Sequence, residues 1–132
     1  MEQAFTIQEI AAITGLSVHT LRYYERIGLL DPVSRTENGY RSYSAKDIAW
    51  VEFLNRLRVT GMPIRTMQEF ASLRRKGDAT VRERRELLEQ HETNIRAHMA
   101  ELEQNLRQIE KKIDLYKEME EKHDTQDRTF SF

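Results

Sequence analysis

Four side chains that can form hydrogen bonds with a nucleic acid lie within one short segment of the chain. They are His19, Thr20, Arg22 and Tyr23. An arginine guanidinium can donate two hydrogen bonds to O6 and N7 of guanine, or can bind a phosphate. A tyrosine can contact either a base or the sugar-phosphate backbone. If the segment is a helix that enters a major groove, its N-terminal half faces the base edges. These residue types predict that the segment recognises a nucleic acid through hydrogen bonds.

The sequence contains no pattern that indicates a catalytic site. The chain has no cysteine, and it shows no nucleophile–base arrangement, phosphate-cradling loop or metal-ligand cluster. We therefore expect no enzyme and no cofactor. His91 and His98 are separated by one heptad, and we interpret both as solvated helix surface, not as metal ligands. Because there is no run of about 20 apolar residues and no signal pattern, we expect a cytoplasmic protein that does not contact a membrane.

Two short helices are expected to position the polar segment. The sequence Thr6 to Glu9 matches the capping-box pattern, and Ser17 is a good N-cap for a second helix that ends at Gly28. Two short helices joined by a turn that contains a glycine form a helix-turn-helix unit. A helical hairpin with no role in DNA binding is the alternative. The predicted shared core consists of Ile7, Ile10, Ala11, Leu16, Val18, Leu21 and Ile27.

A β-hairpin is predicted directly after this unit, over residues 33–43. Its turn contains Asn38-Gly39, a pair of residues that tolerates the positive φ angles of tight hairpins. A hairpin in this place is a wing. Contacts with phosphate or the minor groove are expected from Arg41, from Tyr40 beside it and from Arg35 on the opposite strand. Tyr43 is expected to pack inside the domain.

A second pair of helices completes a predicted N-terminal domain over residues 1–76. Ser44 is its first N-cap, and Pro63 lies where a first-turn proline is tolerated. Arg58 and Arg65 are candidate phosphate contacts in this pair. Lys and Arg outnumber Asp and Glu over residues 1–76, whereas the reverse holds over residues 77–132. This asymmetry agrees with a nucleic-acid contact that is confined to the first half of the chain.

One long helix is predicted over residues 80–121, followed by a polar tail over residues 122–132. Its apolar residues from Ile95 onward are spaced by alternating steps of four and three, which is the heptad repeat of a coiled coil. So long a stripe cannot be buried against so small a domain, and self-pairing is favoured over a helix that folds back on its own chain. The predicted dimerisation residues are Leu88, Ile95, Met99, Leu102, Leu106, Ile109, Ile113 and Tyr116.

The segment from Ser17 to Leu30, followed by residues 38–43 (NGYRSY), resembles the signature of MerR-type transcription regulators. The resemblance implies a mainly α fold: a winged helix-turn-helix DNA-binding domain followed by a long dimerisation helix, paired as an antiparallel coiled coil. It implies a homodimer that bends and untwists double-stranded promoter DNA for RNA polymerase. Arg22 and Tyr23 become the expected centre of recognition. For Tyr24, a phosphate contact and a ring packed at the helix–wing junction with its hydroxyl outward both stay open.

The absence of cysteine also bears on the signal that such a regulator senses. Metal-sensing relatives carry cysteines near the end of the dimerisation helix. The chain resembles most closely a subgroup associated with aldehyde or electrophile stress, which often shows the junction seen here at residues 60–64 (TGMPI). Members of that subgroup commonly carry a cysteine in the preceding helix, which this chain lacks. A thiol-based response is therefore chemically unavailable here. The alternative from another functional class is a coiled-coil scaffold or adaptor whose N-terminal domain binds protein. It explains the heptads but not the arginines of the predicted wing.

Overall fold

A computed structural model describes residues 4–31 and 42–130 of the chain, with side chains as far as residue 125. Within these residues, five α-helices and one short 3-10 helix follow one another. They are α1 (Ile7–Thr14), α2 (Val18–Arg26), α3 (Ala45–Val59), α4 (Ile64–Arg75), the 3-10 helix Asp78–Thr80, and α5 (Val81–Phe130). The long helix therefore continues to Phe130, so the predicted end near Glu121 is wrong. The mainly helical fold class is confirmed.

The chain divides into two compact units, residues 1–91 and residues 92–132. The first unit, which we call the head, contains α1 to α4 and the first turns of α5. The second consists of the rest of α5. From the sequence, the DNA-binding domain was predicted to end at residue 76 and the dimerisation helix to begin at residue 80. These two boundaries are defined by function and stay predictions. No helix in the described part of the chain is long and apolar enough to cross a bilayer.

Local signals of the sequence explain where the first helices begin and end. Thr6 and Glu9 form the predicted capping box, with both hydrogen bonds at 3.1 Å, and Ser44 and Asp47 form a second one. Gly15 ends α1 with a φ of 76°, in the left-handed region that glycine adopts without strain. Thr80, the last residue of the 3-10 helix, donates its hydroxyl proton toward the carbonyls of Leu73 and Gly77.

The core of the head lies where α1, α2, α3 and α4 meet. Ile7, Ile10, Leu16 and Leu21 are buried in it, as predicted, while Ala11, Val18 and Ile27 pack partly buried against it. Trp50 also belongs to this core, and the sequence analysis did not place it there. On α4, Met67, Phe70 and Ala71 are buried in this core, whereas the side chain of Ile64 is 44% exposed. Phe5 pairs with Tyr43 in an isolated antiparallel bridge, and Tyr43 is buried as expected.

The first turns of α5 pack against the rest of the head through Leu88 and His91, for which the sequence predicted other roles. Leu88, predicted in the dimerisation stripe, is partly buried against the core of its own chain. His91 is only 9% exposed, and its Nε2 lies 2.8 Å from Thr60 Oγ1. Thr60 Oγ1 also lies 2.6 Å from the Arg56 carbonyl, so His91 belongs to a hydrogen-bonded group at the end of α3. The interpretation of His91 as solvated surface is therefore wrong, whereas His98 is exposed.

Candidate nucleic-acid interface

Helix α2 has one face fixed in the core and one face open to solvent. Ser17 caps its N-terminus by accepting a hydrogen bond from the Thr20 amide at 3.0 Å. Leu21 and Tyr24 point inward and are 0% and 3% exposed. A helix buried along one stripe presents the residues on the opposite side as a single surface. The orientation of α2 is thus set by the core.

The open face of α2 carries the candidate base-reading residues. His19, Arg22 and Tyr23 are exposed there, as predicted, and Arg26 joins them one turn further on. These positions follow the i, i+3, i+4, i+7 spacing that places side chains on one side of a helix. The guanidinium of Arg26 lies 5.8 Å from the centre of the Tyr23 ring, within the range of a cation–π contact. The sequence analysis did not include Arg26, although the helical spacing from Arg22 could have found it.

Thr20 contributes to the cap of α2 as well as to its surface. It is half-buried, and its Oγ1 accepts a hydrogen bond from Ser17 Oγ at 2.9 Å. One lone pair of Thr20 Oγ1 is therefore engaged within the helix itself. Its predicted contact with DNA has to be made together with this bond.

Tyr24 has a packed ring, as one of its two sequence-based interpretations expected, but its hydroxyl does not point outward. Its ring is buried beside Tyr23, with ring centres 6.3 Å apart. Its hydroxyl oxygen is also buried, so it does not point outward, and it has no hydrogen-bond partner among the described residues. Burial raises the pKa of Tyr24, and the positive charge of Arg58 opposes that shift less strongly. Tyr24 is therefore a core residue with an unsatisfied hydroxyl.

Replacement of Tyr24 by phenylalanine is expected to leave DNA binding within about twofold of the wild type, because the hydroxyl is buried. It is also expected to keep or raise stability by up to about 1 kcal/mol, because a buried polar group without a partner is unfavourable. Urea unfolding and a DNA-binding titration measure the two effects. A tenfold loss of affinity with unchanged stability would show that the hydroxyl does contact DNA.

Two further candidate arginines lie on the α3–α4 pair. Arg58, near the end of α3, is exposed and donates a hydrogen bond to Asn55 Oδ1 at 2.8 Å. Arg65 is exposed on the first turn of α4, and Pro63 at the N-cap of that helix forms no side-chain cap. The N-terminus of a helix carries partial positive charge, which favours an anion beside Arg65. Both placements are compatible with phosphate contacts.

The three candidate residues of the wing, Arg35, Tyr40 and Arg41, lie outside the described residues, as does the predicted turn at Asn38-Gly39. Their predicted contacts stay predictions. No group of three or more His, Asp or Glu side chains in the described part of the chain is arranged to hold a metal ion.

Comparison with known protein families agrees with this arrangement. Residues 5–73 match the family model described as MerR HTH family regulatory protein, which covers more than half of the chain. Residues 48–121 match a second model, described as MerR, DNA binding. The chain belongs to the MerR family. The resemblance drawn from the sequence is confirmed, and the protein is a MerR-type helix-turn-helix transcription regulator.

Curated MerR-family relatives are similar over much of their length. An HTH-type transcriptional regulator of Haemophilus influenzae is 37% identical over 112 residues, which cover 85% of this chain and 83% of that protein. The transcriptional regulator AdhR of Bacillus subtilis is 43% identical over 82 residues, covering 62% of this chain. The aligned part spans 59% of AdhR, so AdhR is compared over a part of its length.

Solved MerR-family structures share the fold. HiNmlR, described as a MerR family regulator lacking the sensor domain and bound to promoter DNA, is 35% identical with a TM-score of 0.80. The match covers 88% of this chain and 92% of HiNmlR. A MerR-family regulator from Listeria monocytogenes is 31% identical with a TM-score of 0.87, over 95% of this chain and 96% of that one.

Proposed function

We propose that this MerR-family protein binds promoter DNA sequence-specifically as a homodimer, with α2 as the recognition helix. The observation that carries the proposal is the open face of α2, where His19, Arg22, Tyr23 and Arg26 stand opposite a buried face. A major groove about 12 Å wide admits one α-helix, and arginine bound to guanine is the commonest specific contact in it. The DNA-bound state of HiNmlR supports this assignment.

Self-association is supported by the second compact unit. Within it, the apolar residues of the predicted stripe from Met99 to Tyr116 are between 47% and 58% exposed. A single helix in water does not leave a continuous apolar stripe uncovered at heptad spacing. A second copy of the chain supplies the matching surface, and the family resemblance favours antiparallel pairing. Two heads then present two recognition helices to two half-sites.

The resemblance to the family extends the proposal to promoter activation. A promoter has two elements that RNA polymerase recognises, separated by a spacer. A dimer that bends and untwists the spacer DNA lets RNA polymerase engage both elements. Access to promoter DNA agrees with the cytoplasmic location expected from the sequence. The scaffold or adaptor alternative is not favoured, because the relatives that match most of the chain are transcriptional regulators.

A binding titration with the labelled DNA upstream of the chain's own gene tests the proposal. We call the duplex that contains this upstream DNA the operator. Affinity for the operator is expected to be higher than affinity for a scrambled duplex of equal length by a factor of about 10³ or more. Affinity for both duplexes should fall as salt is raised, because phosphate contacts release counterions. Equal affinity for the two duplexes at both salt concentrations would refute sequence-specific binding to that DNA.

Replacement of Arg65 by alanine tests the second helix pair. We expect operator and scrambled DNA to lose affinity by a similar factor, because a phosphate contact carries no sequence information. The slope of log affinity against log salt should become shallower by about one for each subunit. Arg82, which is 80% exposed at the side chain on α5, provides the matched alanine control. An unchanged slope would remove Arg65 from the interface.

A further inference from the structure

Three consecutive backbone carbonyls in the segment that follows the recognition helix, from its C-cap Ile27 to Leu29, receive hydrogen bonds from distant side chains. Gln68 Nε2 donates to the Ile27 carbonyl at 2.9 Å, and Trp50 Nε1 donates to the Leu29 carbonyl at 2.8 Å. Between them, Arg75 Nη2 donates to the Gly28 carbonyl. A backbone carbonyl outside a helix or strand is usually satisfied by water or by a nearby side chain. Here all three donors come from α3 and α4. We call Trp50, Gln68 and Arg75 the carbonyl clamp.

The donors of the carbonyl clamp are themselves held in place. The ring of Trp50 stacks on Phe70 with centres 5.8 Å apart, and the guanidinium of Arg74 lies 4.2 Å from the centre of the Trp50 ring. Arg75 also donates from Nε to Asp31 Oδ1 at 2.5 Å. A planar guanidinium that binds a carbonyl and a carboxylate at once fixes their relative positions more rigidly than an ammonium group, whose donors rotate on a flexible stem.

The clamped segment turns sharply and leads directly to the predicted wing. Gly28 has a φ of 84°, so the chain reverses there in a conformation that other residues adopt with strain. The amides of Leu29 and Leu30 both donate back to the Tyr24 carbonyl, at 2.8 and 3.2 Å. The segment is thus fixed through its amides to α2 and through its carbonyls to α3 and α4. Its last described residue, Asp31, is held by Arg75.

We propose that the carbonyl clamp is a set of positioning residues that determine how well the protein distinguishes its operator from other DNA, although none of the three lies on the open face of α2. The inference rests on the proposed function. Base readout depends on hydrogen bonds whose geometry must be held to within about 0.5 Å. Phosphate contacts by long, flexible arginines tolerate larger displacements. If the segment that follows α2 is held less firmly, specific binding is therefore weakened more than non-specific binding.

Two mild substitutions test this inference. Gln68→Met keeps the length of the side chain and removes the donor to Ile27. Arg75→Lys keeps the charge and removes the planar group that joins Gly28 to Asp31. The matched controls are Gln104→Met and Arg82→Lys, which make the same changes at exposed positions of α5. All four variants and the wild type are titrated with operator and scrambled duplexes at one salt concentration, and their melting temperatures are measured.

For Gln68→Met and Arg75→Lys we expect the ratio of operator affinity to scrambled-DNA affinity to fall about tenfold, close to the effect of one mismatched base pair. Affinity for the scrambled duplex should stay within about twofold, and both controls should match the wild type. The melting temperatures are expected to drop by a few degrees, which leaves the proteins folded at 25 °C.

The outcomes separate this inference from the proposed function. If the wild type does not prefer the operator, sequence-specific binding itself fails. If the wild type prefers the operator and both clamp variants keep its ratio, the positioning role is refuted. A parallel loss of affinity for both duplexes, with a lower melting temperature, would also refute it, because that pattern shows a purely structural role.

Discussion

Replacement of Ile109 by aspartate is expected to abolish self-association at micromolar concentrations and, with it, tight operator binding. Ile109 is 58% exposed in the middle of the heptad stripe. An unpaired carboxylate at a buried coiled-coil position loses its hydration without gaining a partner, which strongly disfavours the paired state. Each monomer then carries one recognition helix. Linkage of two binding modules raises overall affinity by a factor of about 10² to 10⁴. Loss of the dimer should therefore lower operator affinity by a factor in the same range.

Analytical ultracentrifugation and an operator titration measure the two consequences of this substitution. Gln104→Asp is the matched control, since it places the same poor helix former on the same helix at an exposed position that lies outside the stripe. The control should stay dimeric and bind DNA normally. A dimeric Ile109→Asp variant would show that the pairing surface lies elsewhere. A monomeric variant with full operator affinity would show that one head is sufficient.

The long helix illustrates what a sequence pattern can and cannot predict. From Ile95 to Tyr116 the steps of four and three depend only on local periodicity, so the stripe could be found by counting. Leu88 continues the apolar pattern upstream, yet it packs against the head of its own chain. His91 follows a polar pattern, yet it is buried and bonded to Thr60. Tertiary packing decides both positions, and periodicity does not encode it.

The head shows the same division between local and distant interactions. The capping boxes at Thr6 and Ser44 were predictable because both partners lie within three residues of each other. The carbonyl clamp joins residues that are 21 to 47 positions apart, so no window of the sequence contains both ends. Tyr24 combines the two cases: its place on α2 left both a phosphate contact and a packed ring open, and tertiary packing buries the ring.

Arg22 carries the second large effect, because it lies at the centre of the open face of α2. Its replacement by alanine is expected to weaken operator binding by about 1 to 3 kcal/mol, or roughly ten- to a hundredfold. Removal of a bidentate donor leaves the polar edge of its base pair without a partner, so discrimination should relax mainly at that position. Stability should change little, since an exposed arginine outside a network contributes little to folding.

A panel of operator duplexes with single base-pair changes, titrated with Arg22→Ala and with Arg82→Ala as the control, locates this position. The wild type and the control should reject a change at the base pair read by Arg22, and the variant should tolerate it. If the variant loses affinity equally for every duplex and the salt slope becomes shallower, Arg22 contacts phosphate instead. Recognition would then have to rest on His19, Tyr23 or the residues of the predicted wing. Unchanged operator affinity would remove Arg22 from the interface altogether, and the assignment of α2 as the recognition helix would lose its main support.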